Sequence, residues 1–150
     1  MRVPLKALAL ALALGCPIMT WAASAGSFDD TLKQHLQAIS ERDLESLLAT
    51  VGDDLNLIFP NGQLVQGKEN FRNIHTEWFA DTQWRMEISE VSRSVGADMA
   101  TVLLKYELRD VPEPGQGNPR SAFLVLVFAK SDDGWRLIHD QNTRITPPSN

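Results

Sequence analysis

Three histidines, one tyrosine and a polar run near the C-terminus carry the chemistry this sequence could do. His35 stands among apolar residues in LKQHLQAI. Imidazole titrates near neutrality. There it is either a boundary residue with one edge in water, or a pocket hydrogen-bond donor or general acid/base. Tyr106 falls on the apolar alternation of ATVLLKYEL. A buried phenol needs a partner for its hydroxyl, which leaves it open between core and pocket. The stretch DDGWRLIHDQNTR, residues 132–144, begins with a turn signal and ends in consecutive hydrogen-bonding side chains from His139 to Arg144. A strand sends alternate residues to opposite faces. One set is then Trp135, Leu137, His139, Gln141 and Thr143, and the other is Arg136, Ile138, Asp140, Asn142 and Arg144.

Other chemistries find little support. His35, His75 and His139 fall on separate elements with no HExxH-type spacing, so no metal is expected. No G-x-S-x-G elbow marks a serine nucleophile. Nothing in the sequence calls for a cofactor. His75, beside Glu77 and Trp78, is expected at the surface.

The elements that must position these groups can be read from periodicity. Ser27 can cap a first helix with Asp30 three residues on, and Phe28, Leu32, His35 or Leu36, and Ile39 follow at helical spacing. Asp43 can cap a second, with Gly52 as its terminator. LNLIFPNGQLVQG predicts a hairpin turning at Pro60-Asn61-Gly62. A third helix is expected over about 68–80, with Phe71, Ile74, Trp78 and Phe79 as its apolar stripe. Trp78 and Trp84 flank the turn into the strands that follow, and are either core packing or an aromatic wall for a flat ligand. WRMEISEV and ATVLLKYEL alternate as strands, and VPEPGQGNPR predicts a long irregular loop. AFLVLVFA is apolar on both faces, as in a strand covered on both sides. Helices grouped with a mostly antiparallel sheet make an α+β domain.

The length, 150 residues, fits one domain. Residues 1–25 read as a signal peptide: Arg2 and Lys6, the apolar run 7–15, then Ala23-Ser24-Ala25 as a cleavage site. The run is too short for a membrane span. The expected location is periplasmic or secreted, with acylation of Cys16 as a lipoprotein the rival. Cys16 is the single cysteine, so the mature chain, 26–150, would contain no thiol and no disulfide. The signal would remove two of 14 basic residues and none of 19 acidic ones, making the mature chain more acidic than the formal −5 of the whole. Such a chain, without a basic patch, is a poor fit to nucleic acid or anionic lipid.

Four segments, in this order and spacing, resemble the SnoaL-like superfamily, also called nuclear-transport-factor-2-like (NTF2-like). They are Ala38–Leu48, Asp53-Asp54 with Phe59-Pro60-Asn61-Gly62, Gly67–Phe71, and Asp133–Asp140. The last is similar to the branch related to the calcium/calmodulin-dependent kinase II association domain. The resemblance implies a cone-shaped sheet, a cystatin-like roll, wrapped around N-terminal helices to leave a pocket. It implies that the outer sheet face forms a homodimer. It places a pocket arginine at the position of Asn142, which points the second parity set into the pocket near its end and the first set toward the partner.

The superfamily includes ketosteroid isomerases, whose chemistry needs a carboxylate base and an oxyanion hole made by a tyrosine and a protonated acid. The resemblance puts the base at Phe59, the tyrosine at His35 and the acid in AFLVLVFA, where none occurs. Ordinary isomerase chemistry is therefore not expected. The expected function is binding of a small apolar or amphipathic molecule in a mainly apolar pocket, lined by His35, Phe59, Trp78, Trp84, Tyr106, Asp140 and Asn142. One alternative is a cyclase, isomerase or dehydratase using His35 as acid/base with Tyr106 or Asp140. The other is a protein-interaction module. An enzyme predicts a hydrogen-bonded pair of titratable groups at the cavity floor. A module predicts a cavity filled by Phe59, Trp78 and Trp84.

Overall fold

A computed structural model of the chain describes residues 26–110 and 120–146. The signal-peptide expectation, Cys16 included, and the irregular loop at 111–119 lie outside the described residues.

Helix α1 spans Phe28–Glu41. The Ser27 hydroxyl accepts from the Asp30 amide while the Asp30 carboxylate accepts from the Ser27 amide, so two amides at the helix start are satisfied reciprocally. Its buried face carries Phe28, Leu32, His35, Ala38 and Ile39. The helix ends at Arg42, whose φ of 58° is unusual for a residue with a Cβ. The guanidinium holds that turn in place: Nη2 donates to the Trp84 carbonyl at 2.7 Å, and the group lies 4.1 Å over the Trp84 ring. Asp43 then caps α2 (Leu44–Leu48) by accepting from the Ser46 amide at 3.0 Å.

Gly52 does not terminate α2. It lies inside β1 (Val51–Ile58), where a Cβ would come within 3.3 Å of the Leu137 carbonyl on the neighbouring strand. The glycine lets two backbones approach. β1 turns through Pro60-Asn61-Gly62 into β2 (Leu64–Gln66), with Leu57 opposite Val65. Helix α3 follows (Lys68–Ala80), then β3 (Trp84–Val95), β4 (Met99–Asp110), β5 (Arg120–Ser131) and β6 (Gly134–Arg144).

The six strands form one curved, unclosed sheet in the order β2-β1-β6-β5-β4-β3. Neighbours run antiparallel except β1 and β6, which are parallel. The fold is α+β, as the sequence predicts. On the inner face of β5, Ala122, Leu124, Leu126 and Phe128 are buried; on the outer face Phe123 is exposed and Val125 and Val127 half-buried. The continuous apolar run thus covers one face fully, not two.

β6 departs from simple alternation. Val127 pairs with His139 but Phe128 pairs with Leu137, so Ile138 is an extra residue with no opposite number. This bulge reverses which set faces inward. Trp135 and Leu137 enter the core before it, and Asp140 is buried after it. The expectation that the Trp135 and Leu137 set faces a partner subunit is corrected for those two residues. Helix α1 closes the core from the other side: Phe28 meets Phe128 and Trp135 edge-on with centroids at 5.5 and 5.4 Å.

Phe128 is fully buried under α1. Phe128→Ala is expected to cost about 3–5 kcal/mol. Urea unfolding followed by circular dichroism checks this; a loss under about 1 kcal/mol would mean α1 does not depend on that ring.

Candidate functional site

Between the helices and the inner sheet face lies a cavity of about 740 Å³. α1 contributes His35 and Ile39 to its wall, and α3 contributes Ile74, His75 and Trp78. The β1 hairpin contributes Leu57, Phe59 and Pro60. The sheet supplies Met86, Tyr106, Leu108, Ala122, Leu124, Asp140 and Asn142, while Arg120, Ser121 and Arg144 stand where β5 begins and β6 ends. The lining is mainly apolar with a few convergent polar groups, the usual composition of a small-molecule site.

The two imidazoles are held by their inner nitrogens. Nδ1 of His35 lies 2.7 Å from the Thr50 hydroxyl, which donates its own proton to the Leu47 carbonyl at 2.6 Å. The hydroxyl has one proton and has spent it, so His35 Nδ1 must be the donor. Nδ1 of His75 lies 2.9 Å from the Phe71 carbonyl and must also donate, since a carbonyl cannot. Burial, reinforced by His75, pushes the His35 pKa down to about 3, and burial pushes His75 down to about 4. Both rings are therefore neutral near pH 7, and their Nε2 atoms are acceptors. Arg42 Nε is the one fully buried side-chain polar atom left unpartnered among the described residues. His35 Nε2 and His75 Nε2 have no partner among those residues either, so each must keep some surface on the cavity its ring borders.

The sheet side carries the complementary groups. Asp140 Oδ1 accepts from Asn142 Nδ2 at 2.8 Å, and Asn142 also reaches the Ile58 carbonyl at 3.4 Å. Burial raises the Asp140 pKa to about 7, and the amide of Asn142 only partly offsets this. Tyr106 is held above its ordinary value by burial and then by the Asp140 charge. Its hydroxyl has no partner among the described residues and opens on the cavity.

The family model of the SnoaL-like domain matches residues 29–143. The chain belongs to the SnoaL-like domain family. Solved structures agree on the fold. A candidate calcium/calmodulin-dependent protein kinase type II association domain from Thiobacillus denitrificans is 18% identical, with 80% of this chain and 96% of that one covered at a TM-score of 0.68. A ketosteroid isomerase-like protein from Erwinia carotovora atroseptica is 20% identical, with coverage of 85% and 100% and a TM-score of 0.65. A candidate dehydratase of the NTF2-like family from Streptomyces avermitilis is 16% identical, with coverage of 82% and 96% and a TM-score of 0.69. No curated protein matches the chain.

In this SnoaL-like domain, six of the seven residues named from sequence border one cavity: His35, Phe59, Trp78, Tyr106, Asp140 and Asn142. Trp84 does not. Trp78 stacks on its ring with centroids 4.5 Å apart, Arg42 covers the ring, and its Nε1 donates to the Trp78 carbonyl at 3.0 Å. It is a support for the Trp78 wall. His35 is not a boundary residue, being 1% exposed. His75 is buried, not at the surface, and stacks on Phe71 at 3.8 Å. Its signal was present: Phe71, His75 and Phe79 recur every fourth residue, on one helical face. Met86 and Leu108 were missed as wall residues, as were Arg120 and Arg144 at the cavity's edge. Among the described residues no cluster of three or more His, Cys, Asp or Glu could hold a metal ion, and no helix is long and apolar enough to cross a membrane.

The buried groups give stability two opposed pH dependences. Asp140 keeps its proton to about pH 7 when folded, against 3.8 as its ordinary value. Its contribution is fully present below pH 3.8 and is lost as pH rises through about 7. His35 and His75 stay neutral down to about 3 and about 4, against 6.5, so their contribution is present above 6.5 and lost as pH falls. Asp140→Asn removes only the first dependence. Relative to wild type the variant should gain stability between about pH 4 and about pH 7, at up to about 1.4 kcal/mol per pH unit, and level off above. Urea midpoints across that range read the effect; a difference independent of pH contradicts it.

Proposed function

We propose that this SnoaL-like domain binds a small apolar or amphipathic molecule in the cavity between helices and sheet, and that the chain is exported. The observation that carries this is an open, mainly apolar cavity whose polar groups keep unused hydrogen-bonding capacity toward its interior. Its volume, about 740 Å³, lies in the range of ligand sites. Phe59 and Trp78 form walls and leave the space unfilled, which weighs against a pure interaction module. The hydrogen bonds of His35, His75 and Asp140 go to Thr50, Phe71 and Asn142, so no two of these titratable groups are bonded to each other. That arrangement favours binding over turnover. Export is supported by the leader-like pattern of residues 1–25. A homodimer through the outer sheet face is supported by the apolar row Phe123, Val125 and Val127.

Native mass spectrometry of protein purified from its own host tests the binding reading. A non-covalently held small molecule is expected on the wild type. Ala122→Phe and Leu124→Trp, which grow into the cavity, should release it while the circular dichroism spectrum is kept. Retention of the same molecule by both filled variants sinks the reading. A dimer is expected in the same spectra.

One observation favours a second reading, an acid/base enzyme. Asp140 is a carboxyl with a pKa near 7 facing an apolar cavity beside Tyr106, and a group poised there can take or give a proton. On this reading Asp140 replaces His35 as the acid/base, because an imidazole held near 3 is both a weak base and rarely charged. Asp140→Asn should then keep the host-derived ligand and stop its conversion, followed by mass change over hours. Unchanged conversion in that variant rejects the reading.

A further inference from the structure

We propose that the bound molecule offers a hydrogen-bond donor, a hydroxyl or N–H, to the Nε2 atoms of His35 and His75 on the helical wall of the cavity. The inference rests on the binding reading above and adds the chemistry the ligand must carry. The deciding feature is the direction of the two Nδ1 hydrogen bonds. His75 Nδ1 faces the Phe71 carbonyl at 2.9 Å. Moving its proton to Nε2 would set a lone pair against a carbonyl lone pair and lose that bond. His35 Nδ1 faces a hydroxyl already committed to the Leu47 carbonyl. Moving its proton would require Thr50, itself buried, to break that 2.6 Å bond. Each ring is thus locked with Nε2 as acceptor. An acceptor-only group such as a ketone or ether oxygen meets lone pairs at this wall, and a carboxylate meets them with charge added. A hydroxyl or N–H satisfies them. Buried acceptors left dry are costly, so the wall discriminates against ligands that lack the donor.

The opposite end sets the rest of the shape. Arg144 is exposed at the cavity's edge beside Ser121, as is Arg120, whose Nη2 already donates to the Asp110 carboxylate at 2.7 Å. An amphipathic molecule can therefore place an acidic group at the edge and its donor at the helices, with Leu57, Trp78, Met86 and Leu124 along the length.

Three matched probes test this by isothermal titration calorimetry: ω-hydroxydodecanoate, its ω-methyl ether, and dodecanoate. The hydroxy acid should bind wild type about tenfold or more tighter than the ether. His75→Phe, close in shape, should cut that preference to about twofold while dodecanoate binding is kept. A second readout does not depend on the variant folding. Histidine ¹⁵N spectra of the wild type should show Nδ1–H tautomers for His35 and His75, with the Nε2 signals moving on addition of the hydroxy acid and not of the ether. Nε2–H tautomers overturn the proposal. Equal affinity for hydroxy acid and ether, with dodecanoate bound, overturns it too and leaves the binding reading standing. No saturable binding of any probe sinks both.

Discussion

Between the pairs Val127–His139 and Phe128–Leu137, β6 carries one residue more than β5, and the surplus falls on Ile138. Without it, strict alternation would send Leu137 and Asp140 to opposite faces. With it, both point inward: Leu137 into the fully buried core and Asp140 into the cavity. The bulge thus divides the strand into a packing half and a half that borders the cavity. Trp135 and Leu137 hold α1 down through Phe28 and the core, while Asp140, Asn142 and Arg144 line the space α1 leaves open. The parallel neighbour β1 has an irregularity of its own beside this one: its pairing steps from Val51–Leu137 to Asn56–His139, five residues of β1 against two of β6. Gly52 falls in that step, where a side chain would press on the Leu137 carbonyl.

Given that placement, burial decides the charge state of the wall. Desolvation disfavours charge of either sign. It raises the Asp140 carboxyl to about 7 and lowers His35 and His75 to about 3 and about 4. The imidazoles are neutral near pH 7, and the Asp140 carboxyl holds its proton far above the usual carboxylate range. A cavity with little fixed charge suits an apolar occupant, and cations are kept to the edge, at Arg120 and Arg144. The neutral groups retain direction even without charge: acceptors on the helices, a phenol and a partly protonated carboxyl on the sheet.

Much of this was legible in the sequence, because much of it is local. The Ser27–Asp30 capping box, the Pro60-Asn61-Gly62 turn and the stripe on α3 each depend on residues within a few positions of one another. The α+β class and the family likeness followed from element order. What was not legible depends on contacts distant in sequence. A bulge obeys the strand opposite: alternation along DDGWRLIHDQNTR gave two sets, the resemblance pointed the set of Asp140 and Asn142 into the pocket, and neither revealed that Trp135 and Leu137 turn inward as well. Trp84 stayed open between core packing and a ligand wall because its cover, Arg42, lies 42 residues upstream. Gly52 looked like a helix stop because nothing nearby reveals Leu137 beside it. His75 was misjudged on its neighbours Glu77 and Trp78, although its own fourfold spacing with Phe71 and Phe79 pointed inward.

The same distinction bears on function. Shared fold at 16–20% identity says how the chain folds and leaves its chemistry to the residues at the site. At the positions the isomerase pattern would use, this chain has a phenylalanine and a neutral histidine, and the described part of the strand that would carry the acid has none. A carboxyl does reach the cavity, but from β6, where the Ile138 bulge delivers it. Its bonded neighbour there is an amide, and Tyr106 has no bond to it among the described residues. Proton transfer needs a group that can pass its proton to the reacting atom and a donor to stabilise the charge that results. Asp140 could meet the first condition and Tyr106 the second only if an occupant bridges them. The geometry gives an occupant places to hydrogen-bond on both walls before it gives it a reaction, which is why binding is the stronger reading of this site.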